Sequence, residues 1–125
     1  MNSAIRAYSA TAQTGLSGRY LEAAVLSRCA NDLQRAVASL PQGHVGLIEA
    51  LERNRKAWRL IAMEAGAEDT HLPPEIGRNM LKIAIFVFAR TAEICETNDV
   101  SLLPGLVEPL VTFNRHLAAG LEART

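Results

Sequence analysis

The three histidines and two cysteines are the side chains with the most obvious capacity for metal or nucleophilic chemistry. His44, His71 and His116 fall in a loop, a linker and the final helical stretch. None has a second ligand at zinc-site spacing, apart from His71 and Glu75 across Pro73-Pro74, so they read as surface histidines and no metal is expected. Cys29 and Cys95 are far apart, each inside an apolar stretch. A secreted domain of this size would more often carry a set of spaced cysteines, so both read as buried free thiols in a reducing compartment. Gly43-His44-Val45-Gly46 lacks the strand and the lysine of a phosphate loop. There is no nucleophile-elbow sequence, and neither cysteine has a histidine near it in sequence, although triads assemble in space. The residues therefore point to no active site, no cofactor and no enzyme.

Two asparagines are more informative. Asn54 and Asn114 each sit on an apolar helical stripe, where an amide left without partners costs about 1–3 kcal/mol. Each must bond to something: a backbone carbonyl, the other asparagine, or the backbone of a partner protein. Trp58, the only tryptophan, shares the stripe of Asn54 and reads as core, with an interface anchor as the alternative. Arg53, Arg55, Lys56 and Arg59 could form a nucleic-acid patch. The pairs Glu49–Arg53 and Glu52–Lys56, in the favourable i,i+4 order, favour a solvated helical face instead.

These residues need helices to position them. Leu26, Ala30, Leu33, Val37 and Leu40 lie at helical spacing within a first helix expected over Tyr20–Leu40, ended by Pro41-Gln42-Gly43. A second is expected over Val45–Ala65 with the stripe Leu47, Leu51, Asn54, Trp58, Ile61 and Ala65, stopped by Gly66. Pro73, Pro74 and Glu75 suit the entry of a third, running to about Thr97. That helix is apolar on two faces, through Ile76, Met80, Ile83, Val87 and Ile94 and through Leu81, Ala84, Phe88 and Cys95. Such a helix is central in a bundle or half-covered by a partner. Ser101 is a plausible N-cap for the last segment. Because proline inside a helix costs about 3 kcal/mol, a short turn is expected near Leu102–Val107. The main helix then starts at about Pro109 and carries Leu110, Asn114, Leu117 and Leu121. Residues 1–18, with a single charge at Arg6, read as a mobile N-terminal arm that could order on a partner. Ser17 is an N-cap candidate at its end.

No strand alternation, internal repeat or long heptad series appears. The expected architecture is all-α: a small antiparallel bundle of about four helices in one domain, residues 19–125. A length of 125 residues with 49% hydrophobic side chains suffices for one core. Lys+Arg and Asp+Glu are both 13, a balance that argues against a general polyanion binder and gives little protection against self-association. No basic-then-apolar leader opens the chain, and the apolar run Ile83–Ala89 is too short to insert in a membrane. A cytoplasmic protein is expected.

Three segments, in order, resemble the FlaF family of flagellar biosynthesis regulators. Asn54-Arg55-Lys56-Ala57-Trp58 is similar to its Asn/Thr-Arg-basic-x-Trp motif. Leu72-Pro73-Pro74-Glu75, followed by Ile83-Ala84-Ile85-Phe86-Val87, resembles its Leu-Pro-x-Glu entry and long apolar helix. The segment from Leu110 through Asn114-Arg115 to Gly120-Leu121 is similar to its closing hydrophobic-Asn-Arg-x-x-x-x-Gly-Leu pattern. Ala7-Tyr8 also fits. The segment Leu103-Pro104 to Pro109 is richer in proline than the family pattern, and Pro74 replaces a commoner polar residue.

The resemblance implies a non-enzymatic role in flagellar assembly of the alphaproteobacterial type, opposite FlbT, which restrains flagellin translation. Its most concrete form is a flagellin-binding secretion chaperone that promotes flagellin synthesis and export. Ile85, Phe86 and Phe88, with Leu106 and Phe113, are the candidate groove residues. Asn54, Arg55, Trp58, Leu72, Pro73, Asn114, Gly120 and Leu121 are motif residues with structural or binding roles. The alternative is post-transcriptional control of flagellin messenger RNA, directly or in a complex with FlbT. A structural subunit paired with itself or with FlbT is a third reading.

Overall fold

The computed structural model describes residues 16–123. It contains four long helices: α1 (Leu16–Ala38), α2 (Val45–Ala65), α3 (Pro74–Glu96) and α4 (Leu103–Ala123). Short 3₁₀ turns, Leu40–Gln42 and Val100–Leu102, precede α2 and α4. The described residues contain no strand. Residues 1–15 of the expected arm, with Ala7 and Tyr8, lie outside the described residues.

The bundle is antiparallel. α1 packs along α4 in the most extensive interface, α2 lies between α1 and α3, and α3 closes the ring against α4 over a much shorter contact. Leu26, Ala30 and Leu33 of α1 meet Leu51 and Trp58 of α2, Val87 of α3 and Val107 and Leu110 of α4 in one fully buried cluster. Each large aliphatic side chain removed from water there contributes about 1.5–3 kcal/mol, which offsets the chain entropy lost on ordering.

The local stops follow from residue chemistry. After α1, Gly43 takes φ 137°, a left-handed value that favours glycine, and its N–H bonds to Leu40 O at 3.0 Å. The Gly66 N–H bonds back to Ala62 O at 2.9 Å and ends α2. α3 opens with Pro74 in its first turn and Glu75 at the positive end of its dipole. Gly77 is buried where the α3 start crosses the α2 end: a β-carbon there would stand 3.3 Å from Ala65 O.

The sequence-based expectation for α2 matches its bounds, but three boundaries differ. α1 begins at Leu16, not Tyr20, and runs through Ser17 and Gly18. An interior glycine costs only about 1 kcal/mol relative to alanine, less than breaking a long helix. The turn before α4 is capped by Asp99, not Ser101: the Asp99 carboxylate accepts from the Ser101 N–H at 3.0 Å and its hydroxyl at 2.6 Å. Those two bonds hold the Asp99 pKa below its ordinary value, because they favour the ionised form.

The third difference is at Pro109, which lies inside one continuous α4. Pro104 sits in the first turn of that helix, where proline is tolerated. Pro109 has no N–H for the Gly105 carbonyl, yet Leu103 and Val107 before it and Leu110 after it are all buried on one face. Burying that stripe outweighs the lost hydrogen bond. Pro109→Ala should therefore stabilise the fold by about 2 kcal/mol, the interior-proline cost of about 3 reduced by about 1 for loss of chain stiffness in the unfolded state. Urea unfolding checks this: the midpoint rises at unchanged slope.

Candidate functional site

The two asparagines meet at the centre of the bundle. The Trp58 Nε1–H donates to Asn114 Oδ1 at 2.8 Å. Asn114 Nδ2 donates to Asn54 Oδ1 at 2.7 Å and to the Leu26 carbonyl at 3.3 Å. Trp58, Asn54 and Asn114 are each 0% exposed. One relay therefore ties α1, α2 and α4 together in a medium where an unmade bond is costly. Asn54 Nδ2 is buried without a partner among the described residues.

The other motif residues take supporting places. Arg115 reaches across to the side chains of Asn31, at 2.9 Å, and Gln34 on α1. Arg55, half-buried, donates to Glu52, and that bond lowers the Glu52 pKa and raises that of Arg55. Leu72 is half-buried against the core and Pro73 stands exposed just ahead of α3. Leu121 is buried, while Gly120 is exposed with open space where a β-carbon would go.

The basic residues of α2 do not form the expected helical pairs. Glu52 takes Arg55, one turn on, and Arg53 reaches Asp32 of α1 at 3.4 Å. Asp32 also accepts from Arg35. Arg53 lies on the edge of α2 that faces α1, so a carboxylate from the neighbouring helix is nearer to hand than the expected Glu49.

The five candidate groove residues do not line a single groove. Phe86 and Phe113 meet edge-to-face, ring centroids 5.4 Å apart at 67°. The Arg90 guanidinium lies 4.9 Å from the Phe86 ring centre, donates to the Leu106 carbonyl at 3.0 Å and pairs with Glu93 at 3.1 Å. Phe86, Leu106 and Phe113, all half-buried, thus share the seam between α3 and α4. Phe88 points about 200° further round the helix. Ile85, three residues before it, lies on the Phe88 side and is 68% exposed. Leu81, on that same edge, packs beside Gly66 at the end of α2. The second apolar face of α3 is therefore largely used by its own neighbours, with Ile85 left facing solvent. Arg90 was not singled out by sequence reasoning; its signal is its place one turn after Phe86.

An open depression of about 600 Å³ lies between α1 and α4, floored by Val107 and Val111 and rimmed by Gln34, Glu108, Arg115 and His116. His44, His71 and His116 are exposed. No cluster of three or more metal-ligating side chains occurs among the described residues. No helix of the described residues is long and apolar enough to cross a membrane.

The Asn54–Trp58 segment and the closing Asn-Arg pair are far apart along the chain but meet in the relay, while the Leu-Pro-Pro-Glu entry opens α3 outside it. The family model for flagellar protein FlaF matches residues 4–121. The chain belongs to the FlaF family. No curated protein and no solved structure shows a significant match. In this FlaF-family chain the Asn54 and Trp58 motif and the Asn114 motif are two halves of one buried hydrogen-bonded centre.

The cysteines separate in the structure. Cys29 is buried, and its thiol pKa is raised by burial and by the Asp32 charge. Cys95 is exposed, against expectation: in the last full turn of α3 Ile94 takes the core position, and Cys95, about 100° round, meets solvent. An aromatic disulfide reagent at neutral pH should modify Cys95 in the native protein and Cys29 only after denaturation, read as released thiolate. Equal reactivity of the two would contradict this placement.

Proposed function

We propose that this FlaF-family protein is a flagellin-binding secretion chaperone, acting in the cytoplasm without catalysis to promote flagellin synthesis, export and flagellum assembly. The observation that carries the reading is the apolar edge of α3 in a chain of a flagellar family: Ile85 is 68% exposed beside half-buried Phe88. An amphipathic helix of flagellin laid on that edge would bury its own apolar face and be kept from assembly until export. Phe86, Leu106 and Phe113 serve this role from the other side of α3, by holding it in place. The RNA reading is disfavoured because Arg53 and Arg55 are already paired with carboxylates and the net charge is zero. FlbT as the direct partner is the outcome that remains if flagellin fails to bind.

Titration calorimetry against monomeric flagellin should show micromolar or tighter binding with a negative heat-capacity change, lost when the flagellin terminal segments are removed. Ile85→Asp, at an exposed site, should leave the helical circular dichroism unchanged and weaken binding at least about tenfold, since a buried unpaired charge is costly. No heat and no co-elution at tens of micromolar would overturn the chaperone reading.

A further inference from the structure

We propose that α3 is a hinged strap that swings away from α4 while α1, α2 and α4 remain assembled, with Arg90 as its latch. The inference concerns the free protein and stands whether or not flagellin is the partner. The buried relay joins Leu26 of α1, Asn54 and Trp58 of α2 and Asn114 of α4, and none of its bonds involves α3. Three helices are thus cross-linked through the core by polar bonds, while α3 is held by packing.

That packing is uneven. α3 lies along α2 over a long contact and meets α4 over the shortest contact of any neighbouring pair in the ring. Every polar side chain that α3 presents at the core or the seam, Arg90 excepted, is satisfied within α3 itself. The buried Thr91 hydroxyl donates to Val87 O at 2.7 Å in its own helix. Opening the seam therefore strands no buried side-chain polar group, whereas separating α2 from α4 would break the Asn114–Asn54 and Trp58–Asn114 bonds and strand the indole N–H and the Asn54 amide.

The latch is the set of contacts across the seam. Arg90 donates to Leu106 O at 3.0 Å and covers the Phe86 ring, which meets Phe113 edge-on. Leu106 O lies in the α4 stretch loosened by Pro109, next to the Gly105 carbonyl that has lost its helical donor. Arg90 thus gives a strong, charge-assisted bond to the part of α4 with the weakest backbone ladder. The segment between Gly66 and Pro73 and the turn at Thr97–Asp99 are the positions able to absorb the swing.

Hydrogen–deuterium exchange followed by mass spectrometry on the full chain tests this. After correction for intrinsic rates, central α3 amides should exchange faster than the centres of α1, α2 and α4. Arg90→Gln should speed α3 exchange by about tenfold, the effect of losing one charge-assisted bond, with α1 and α2 little changed. Exchange of α3 in step with the other helices in the unmodified protein would overturn the proposal, even if the variant failed to fold. Equal acceleration of all four helices by Arg90→Gln would overturn it as well.

Discussion

A carboxamide carried by Asn114 into the middle of an apolar bundle is the demand around which this structure is arranged. Its oxygen takes the indole N–H of Trp58, and its nitrogen gives to Asn54 and to the Leu26 carbonyl. Apolar stripes alone tolerate several helix offsets, because one aliphatic side chain substitutes for another at modest cost. A buried hydrogen-bonded centre does not, since a shift of one turn would leave the amides and the indole unpaired. Asn54 Nδ2 has no protein partner among the described residues, so the centre specifies one register through the bonds that Asn114 makes.

The rest of the architecture divides around that centre. α1, α2 and α4 contribute atoms to the relay and share its rigidity. α3 contributes none and depends on aliphatic packing and on the Arg90–Phe86–Phe113 contacts at its edge. The motif residues Asn54, Trp58 and Asn114 are thus positioned to build the scaffold, and exposed Ile85 lies on the one long helix outside it.

Much of the fold was legible in the residues themselves. The break after α1 at Gly43, the α2 stripe and its stop at Gly66 follow from spacing and from glycine, and the need of both asparagines for partners follows from desolvation alone. Other features depend on neighbours that no local pattern reveals. Pro109 reads as a helix boundary until the buried stripe across it is counted. Cys95 reads as core by periodicity, yet lies where the bundle end leaves it in solvent. Arg53 takes Asp32 because the facing helix brings a carboxylate to it, and Glu52 takes Arg55 within its own helix at i,i+3 spacing. Phe86 and Phe88, two residues apart, stand about 200° round α3 by helix geometry alone, but the Phe113 ring that meets Phe86 comes from α4 and no local pattern reveals it.

The most direct test of the relay as the organising centre is a double-mutant cycle on its two amides, with Asn54→Leu, Asn114→Leu and the pair compared by urea unfolding. The account predicts that each single change costs about 2–3 kcal/mol, because it leaves buried partners unpaired. The pair should cost less than the sum by at least about 1 kcal/mol, because replacing both removes the amide that either single change strands and leaves only the Trp58 indole N–H unpaired. Near-neutral single variants, or strictly additive ones, would contradict a relay that sets the register of the bundle.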